Sequence, residues 1–330
     1  MYTYRTRLPF AIIVLVVFAG CGPAPTIAPS LVPTTPAIAP TLVPKVAPIA
    51  TASVYPLTIT DSAERKVTIA RQPQTFVSLS PSVTEILFTL GVGNQIVAVD
   101  QFSDYPPEAK NILNIGGSGG TFNFEKIVEQ QTDVVFGAGP TSPESIRKLE
   151  ELKQTVVIIG SHKSTIENIM DDIRLTGQIA AVPERARQVT DAMQQKLDRL
   201  KQKVAGAMTR PKVYWEIDAT STTKPFSVGP GNFVNDLITL AGGENIFANS
   251  LSPFPQVSVE QIVAANPDVI VLVSHVTPES IKVRAGWDTI NAVKNSHIYV
   301  VDENLTSRTG PRVVDGLEAA MKVIHPELLQ

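Results

Sequence analysis

The chain has 330 residues, 28 lysines and arginines against 31 aspartates and glutamates, a net charge of −3, and 43% hydrophobic against 18% charged residues. That length holds two ordinary domains or one large one, and the near-neutral balance argues against a nucleic-acid binder that works by bulk positive charge. One cysteine excludes a disulfide framework and any multi-cysteine zinc or iron–sulfur site, and 6% aromatic content disfavours a wide base-stacking platform.

Arg5 and Arg7 precede an apolar run from Leu8 to Phe18. Positive charge followed by about ten apolar residues is the pattern of a secretory signal, too short for a permanent membrane span. The run ends in Phe18-Ala19-Gly20-Cys21, which resembles a lipobox. In that resemblance residues 1–20 are removed and the thiol of Cys21, the only one in the chain, carries lipid. Phe18 stands where such boxes have an aliphatic residue, and ordinary signal cleavage that leaves an unpaired thiol is the alternative.

From Gly22 to Pro56 nine prolines alternate with Ala, Thr, Val and Ile, and the only charge is Lys45. Proline removes amide donors and favours extended polyproline geometry, so this stretch cannot build a packed core. It is expected to be a semi-rigid tether of at most about 110 Å, at roughly 3.1 Å per residue. A tether between an anchor and a folded body places that body near a membrane without entering it.

From Leu57 the composition is globular. Strand-like runs at Thr75–Leu79, Ile96–Val99 and Val134–Phe136 alternate with helical patterns at Val83–Leu90 and Ile127–Gln130, which predicts an α/β fold with mainly parallel strands. Two stretches repeat. Asn123-Phe124-Glu125-Lys126-Ile127-Val128 leads to Asp133-Val134-Val135-Phe136, and Ser258-Val259-Glu260-Gln261-Ile262-Val263 leads to Asp268-Val269-Ile270-Val271, with eight residues from Glu to Asp in both. Upstream, Glu85-Ile86-Leu87 leads to Gly91 and Asp236-Leu237-Ile238 leads to Gly242. Two copies of one order of elements predict two similar lobes; the alternative is that any amphipathic helix-then-strand unit looks this way. Between the halves, Pro183 to Ala207 carries Val189, Met193, Leu197, Leu200 and Val204 on one helical face. A helix of that length spans about 36 Å, enough to cross a two-lobed body, and a single stiff connection predicts a cleft that opens only a little.

The phosphate-loop motif is absent. Gly116-Gly117-Ser118-Gly119-Gly120 matches no dinucleotide fingerprint and is expected to be a flexible loop facing the cleft. His162, His275, His297 and His325 show no metal-ligand spacing; His275 follows an apolar run at a strand's carboxyl end, where either a cleft role or a plain loop position fits.

Five segments carry a family resemblance: Leu79-Ser80-Pro81-Ser82-Val83-Thr84-Glu85, Phe102-Ser103-Asp104-Tyr105-Pro106-Pro107, Gly242-Gly243-Glu244-Asn245-Ile246-Phe247, Pro253-Phe254-Pro255-Gln256-Val257-Ser258 and Arg308-Thr309-Gly310-Pro311-Arg312. In this order they resemble the helical-backbone solute-binding proteins of ABC importers, the group for cobalamin, ferric siderophores and haem, over about residues 57–325 and most closely in the cobalamin branch. The resemblance implies an α/β fold of two similar lobes joined by one long helix, with a ligand cleft between them. The expected boundaries are a signal at 1–20, a lipidated cysteine and tether at 21–56, an N-terminal lobe at 57–182, the helix at 183–207 and a C-terminal lobe at 208–330.

In such proteins one glutamate per lobe docks onto arginine pockets of a permease dimer that carries its ATPase subunits; these glutamates fall on Glu125 and Glu260. The alternative is that each merely favours a helix dipole. For the ligand, Phe102 and Phe254 stand where the branch often has tyrosine and tryptophan, Gly119 and Ala138 stand at family tryptophan positions, Arg308 matches an arginine at the cleft floor, and Phe226 is a wall from the second lobe. A core position is the alternative for each aromatic. Trp215 is expected in a strand and Trp287 at the start of a surface helix. The implied protein is a lipid-anchored, monomeric, extracytoplasmic receptor that is no enzyme, has no resident cofactor or metal and no nucleic-acid partner. Its expected cargo is a corrinoid, with a ferric siderophore or haem as the alternative and a secreted two-lobed enzyme as the remote one.

Overall fold

The computed structural model describes residues 54–117, 120–160, 164–218, 220–273 and 276–329. The expected signal, Cys21, nearly all of the expected tether, Gly119, His162 and His275 therefore lie outside the described residues. In chain order the elements are β1 (Leu57–Thr60), β2 (Lys66–Ile69), β3 (Phe76–Ser78), α1 (Pro81–Thr89), β4 (Ile96–Val99), β5 (Leu113–Asn114), α2 (Phe124–Glu129), β6 (Val134–Ala138), α3 (Pro143–Glu151), β7 (Val156–Ile159), α4 (Ile166–Ile179) and α5 (Pro183–Val204). There follow β8 (Lys212–Asp218), β9 (Phe226–Ser227), α6 (Phe233–Leu240), β10 (Glu244–Asn245), α7 (Val259–Ala265), β11 (Val269–Leu272), α8 (Pro278–Lys282), α9 (Asn291–Lys294), β12 (Ile298–Val300), α10 (Glu303–Thr306) and α11 (Val313–Ile324).

β1 and β2 form a small antiparallel ribbon. The other strands form two separate sheets, in the orders β5-β4-β3-β6-β7 and β10-β8-β11-β12, with β9 antiparallel on β8 and every other pairing in both parallel. Element by element, β4-β3-β6-β7 corresponds to β10-β8-β11-β12. The internal repeat of the sequence is thus a repeat of topology, one copy per lobe.

Its repeated residues have defined jobs. Gly91 and Gly242 follow α1 and α6 with φ of 81° and 87°. At both ends the glycine amide and the next amide bond back to the last turn: Gly91 to Phe88 and Val92 to Leu87, then Gly242 to Thr239 and Gly243 to Ile238. This is the paired helix stop that needs a left-handed residue, hence glycine. Asp133 accepts from the amides of Gln74 and Thr75 just before β3, and Asp268 accepts from the amide of Lys212 at the start of β8, so each aspartate ties its own strand to the neighbouring central strand.

Strands such as Val156–Ile159 and Val269–Leu272 are buried at every residue, as parallel strands covered on both faces must be. The helix predicted from Pro183 to Ala207 ends at Val204 after 22 residues and buries Val189, Met193, Leu197 and Leu200. It is packed into the body. A Cβ on Gly177 of α4 would collide with Ala186 of α5, so the two helices approach closely there. Arg185 of α5 donates to the carbonyl of Thr89, and Lys196 of α5 reaches both Asp315 and Glu318 of α11 at 2.6 Å. One apolar cluster runs through both lobes, from Phe76 and Leu87 past Ile173, Met193 and Leu197 to Trp215 and Leu317.

Trp215 lies in β8 as expected and is buried. Trp287 departs from the surface-helix expectation. It opens a single 3₁₀ turn and is fully buried, edge-on to Tyr214 with the guanidinium of Arg284 4.7 Å from its ring. Arg284 in turn grips Glu216 at 2.6 and 2.9 Å, and Tyr214 donates to the same carboxylate. The cation and the apolar cluster pull the indole inward, where a surface pattern read residue by residue has no information about what lies beneath.

Candidate functional site

In parallel sheets the loops at the carboxyl ends of the strands gather the functional groups. A cavity of about 400 Å³ opens at that end of the first sheet. The first lobe supplies Leu79–Ser82 after β3, Asp100 and Phe102 after β4, Gly117, Gly120 and Phe122 after β5, and Ala138–Thr141 at the end of β6 and just beyond it. The second lobe supplies Phe233, Phe254 and Ser307–Thr309. The cavity therefore lies at the seam, with two phenylalanines from each side. Phe102 is half exposed at its mouth, whereas Phe122 is buried.

The polar side has two layers. Ser80 and Ser82 touch through their hydroxyls at 3.0 Å. Behind them, Thr84 Oγ1 lies 2.8 Å from Ser78 Oγ and 2.7 Å from Ser103 Oγ, and Ser103 donates to Asp100 Oδ1 while the amide of Phe102 donates to Oδ2. Burial pushes the Asp100 carboxyl above the usual aspartate range; the Ser103 and Phe102 bonds and the charge of Arg308 offset part of that.

The second layer joins the lobes. Glu85 of α1 is buried, 2% exposed, and accepts three charge-assisted bonds: from Arg308 Nη1 at 2.8 Å and from Arg312 Nε and Nη2 at 2.8 and 2.7 Å. Arg308 Nη2 also meets Asp104 Oδ1 at 2.8 Å. Arg312 lies 3.7 Å over the ring of Tyr105, and its bonds to Glu85 raise its affinity for its proton. The carboxylates and the tyrosine belong to one lobe and both arginines to the other.

Of the residues singled out from sequence, Phe102, Ala138, Phe254 and Arg308 all line this cavity. Phe226 does not; it is 38% exposed on β9, with Gln256 as its backbone neighbour. Gly119 lies outside the described residues, between the lining residues Gly117 and Gly120. Phe122, Phe233 and Asp100 were missed, and no motif marks them. Glu85, Asp104, Tyr105 and Arg312 stood inside the quoted motifs without a role; their motifs were the available signal.

Glu125 and Glu260 occupy the same place in equivalent helices, the second residue of α2 and of α7, and both are exposed. Asn123 caps α2 and Ser258 caps α7. Backbone and Ser258 hydrogen bonds hold the Glu260 carboxyl below the usual glutamate range. Among the described residues no group of three or more His, Cys, Asp or Glu side chains is placed to hold a metal ion, and no helix is long and apolar enough to cross a membrane.

Residues 76–305 match the family model described as periplasmic binding protein. The chain belongs to the periplasmic binding protein family. Members of this family are solute-binding proteins, and the two-lobed fold with its seam cavity is that of the family. An uncharacterized ABC transporter substrate-binding lipoprotein of Bacillus subtilis, YvrC, is 30% identical over 277 residues, 83% of this chain and 87% of that one. A vitamin B12-binding protein of Vibrio cholerae is 31% identical over 246 residues, 73% of this chain and 86% of that one. Among solved structures, a possible iron-binding periplasmic solute-binding protein of Staphylococcus epidermidis aligns with a TM-score of 0.68 and 27% identity, covering 77% of this chain and 100% of that one.

Proposed function

We propose that this periplasmic binding protein is a lipid-anchored receptor that captures a corrinoid and delivers it to an ABC importer. The observation that carries the reading is the seam cavity, flanked by Phe102 and Phe122 from one lobe and Phe233 and Phe254 from the other, with hydroxyls and one paired arginine on its floor. Aromatic faces with a few fixed polar groups suit a flat, amide-rimmed macrocycle. Such a ligand is larger than the cavity and extends past its mouth. The vitamin B12-binding relative supports the same ligand class. The iron-binding neighbour favours the second reading, a ferric chelate or haem in the same seam.

Lipidation at Cys21 and the proline-rich tether would hold the body at the outer face of the cell membrane. The placement of Glu125 and Glu260 at matching sites of a duplicated unit supports docking onto a two-fold permease, where cross-interface charge pairs couple by about 1.5–7 kcal/mol. The test is calorimetric titration of the protein with cyanocobalamin, backed by thermal unfolding. Ligand at about 100 times its Kd should add about 2.7 kcal/mol of stability. Binding of haem or a siderophore panel with no response to corrinoids would replace the ligand.

A further inference from the structure

The ionisable groups that line the seam cavity, among the described residues, are Asp100 and Arg308. Arg308 is the one cation there that a ligand anion would seek, and it is already engaged. Its Nη1 is held by Glu85 and its Nη2 by Asp104, with the carbonyl of Phe102 also 3.4 Å from Nη2. Glu85 is buried and shared with Arg312, so it cannot yield. Asp104 differs: its side chain is 43% exposed, and among the described residues its ion-pair partner is Arg308 alone. A ligand carboxylate that takes the Nη2 position must therefore displace Asp104, and one that reaches another N–H of Arg308 sits beside the negative charge of Asp104. A neutral amide needs no displaced anion.

We infer that Asp104 is a positioning residue that acts through Arg308 as a charge filter, so that the receptor selects amide-rimmed over carboxylate-rimmed macrocycles. This rests on the corrinoid reading above and adds to it the chemistry of the ligand's edge. Discrimination by a pre-placed like charge is rejection of the wrong ligand more than attraction of the right one.

The test compares two ligands with one ring: dicyanocobinamide, whose rim is amides, and dicyanocobyrinic acid, whose rim is carboxylates. The full chain should bind the amide form more tightly by at least about tenfold, and Asp104→Asn should narrow that ratio by about tenfold. A role in folding alone would weaken both ligands together and leave the ratio fixed. Asp104→Glu should restore the ratio, and adding Arg308→Gln to Asp104→Asn should remove the gain of the acid form. An unchanged ratio in a folded Asp104→Asn protein overturns the filter. If neither corrinoid binds the unmodified protein, the corrinoid reading fails instead. The filter is then judged by the same ratio between haem dimethyl ester and haem, whose propionates are neutral esters in one and carboxylates in the other.

Discussion

Glu85→Gln is the sharpest probe of how the lobes are held together. The change keeps shape and volume but removes the charge that faces two guanidiniums. Glu85 is 2% exposed and accepts three charge-assisted hydrogen bonds, all from the opposite lobe. Removing one partner of a buried ion pair costs about 3–5 kcal/mol, because the remaining charge stays buried and unpaired. Here the arginine side chains keep 13% and 19% exposure, which lets water screen part of the loss and places the cost near the low end, about 3 kcal/mol. At about 2–4 °C per kcal/mol for a domain of this order, thermal unfolding should fall by about 6–12 °C. Hydrogen exchange should rise in α1 and at residues 308–312, on both sides of the seam, while α7 and β11 stay protected. The control is Glu184→Gln on α5, which breaks an exposed pair with Arg187 and should change little. A shift of less than ~2 °C for Glu85→Gln, or faster exchange in one lobe only, would refute the claim that this carboxylate joins the lobes.

Reversing Glu125 and Glu260 to lysine together should leave ligand affinity intact and abolish stimulation of the importer's ATP hydrolysis in reconstituted vesicles; normal stimulation removes the docking assignment. Cys21→Ser should move the protein from the membrane fraction to the soluble one, and continued membrane retention would count against lipidation. For Asp133, partial burial raises the carboxyl's affinity for a proton, but bonds from Arg71 and the Gln74 and Thr75 amides outweigh it and leave its pKa depressed. A depressed folded-state pKa contributes stability above the unfolded value near pH 4, which is lost as pH falls through the folded value. Asp133→Asn should therefore be less stable than the parent at pH 7, with the difference closing below about pH 4 in urea unfolding curves; a difference that persists at low pH would place the effect elsewhere.

Much of the architecture was legible because it is local and duplicated. The spacing of apolar residues from Val189 to Leu200 marked α5, and the paired Glu-to-Asp units marked equivalent helix–strand steps in both lobes. The recurring glycines after α1 and α6 were legible as repeats, though only backbone geometry shows why they recur: each closes a helix in the left-handed region. Phe102, Phe254 and Arg308 were legible through motifs, since each stands beside residues of recognisable type, and Ala138 only as the position of a family tryptophan. Phe122 and Phe233 have no such neighbours. A phenylalanine before a helix cap or opening a helix has the same local pattern whether it faces core or cavity.

The order of elements, the duplication and the stiff connecting helix follow from periodicity and capping residues, which act within a few positions along the chain. The state of Arg308 does not. Glu85 precedes it by 223 residues and Asp104 by 204, and nothing local to any of the three says that they meet. Folding brings two lobes face to face, and only there does a cation that reads as a free ligand contact become one already held by two carboxylates, because charge pairing is set by distance in space.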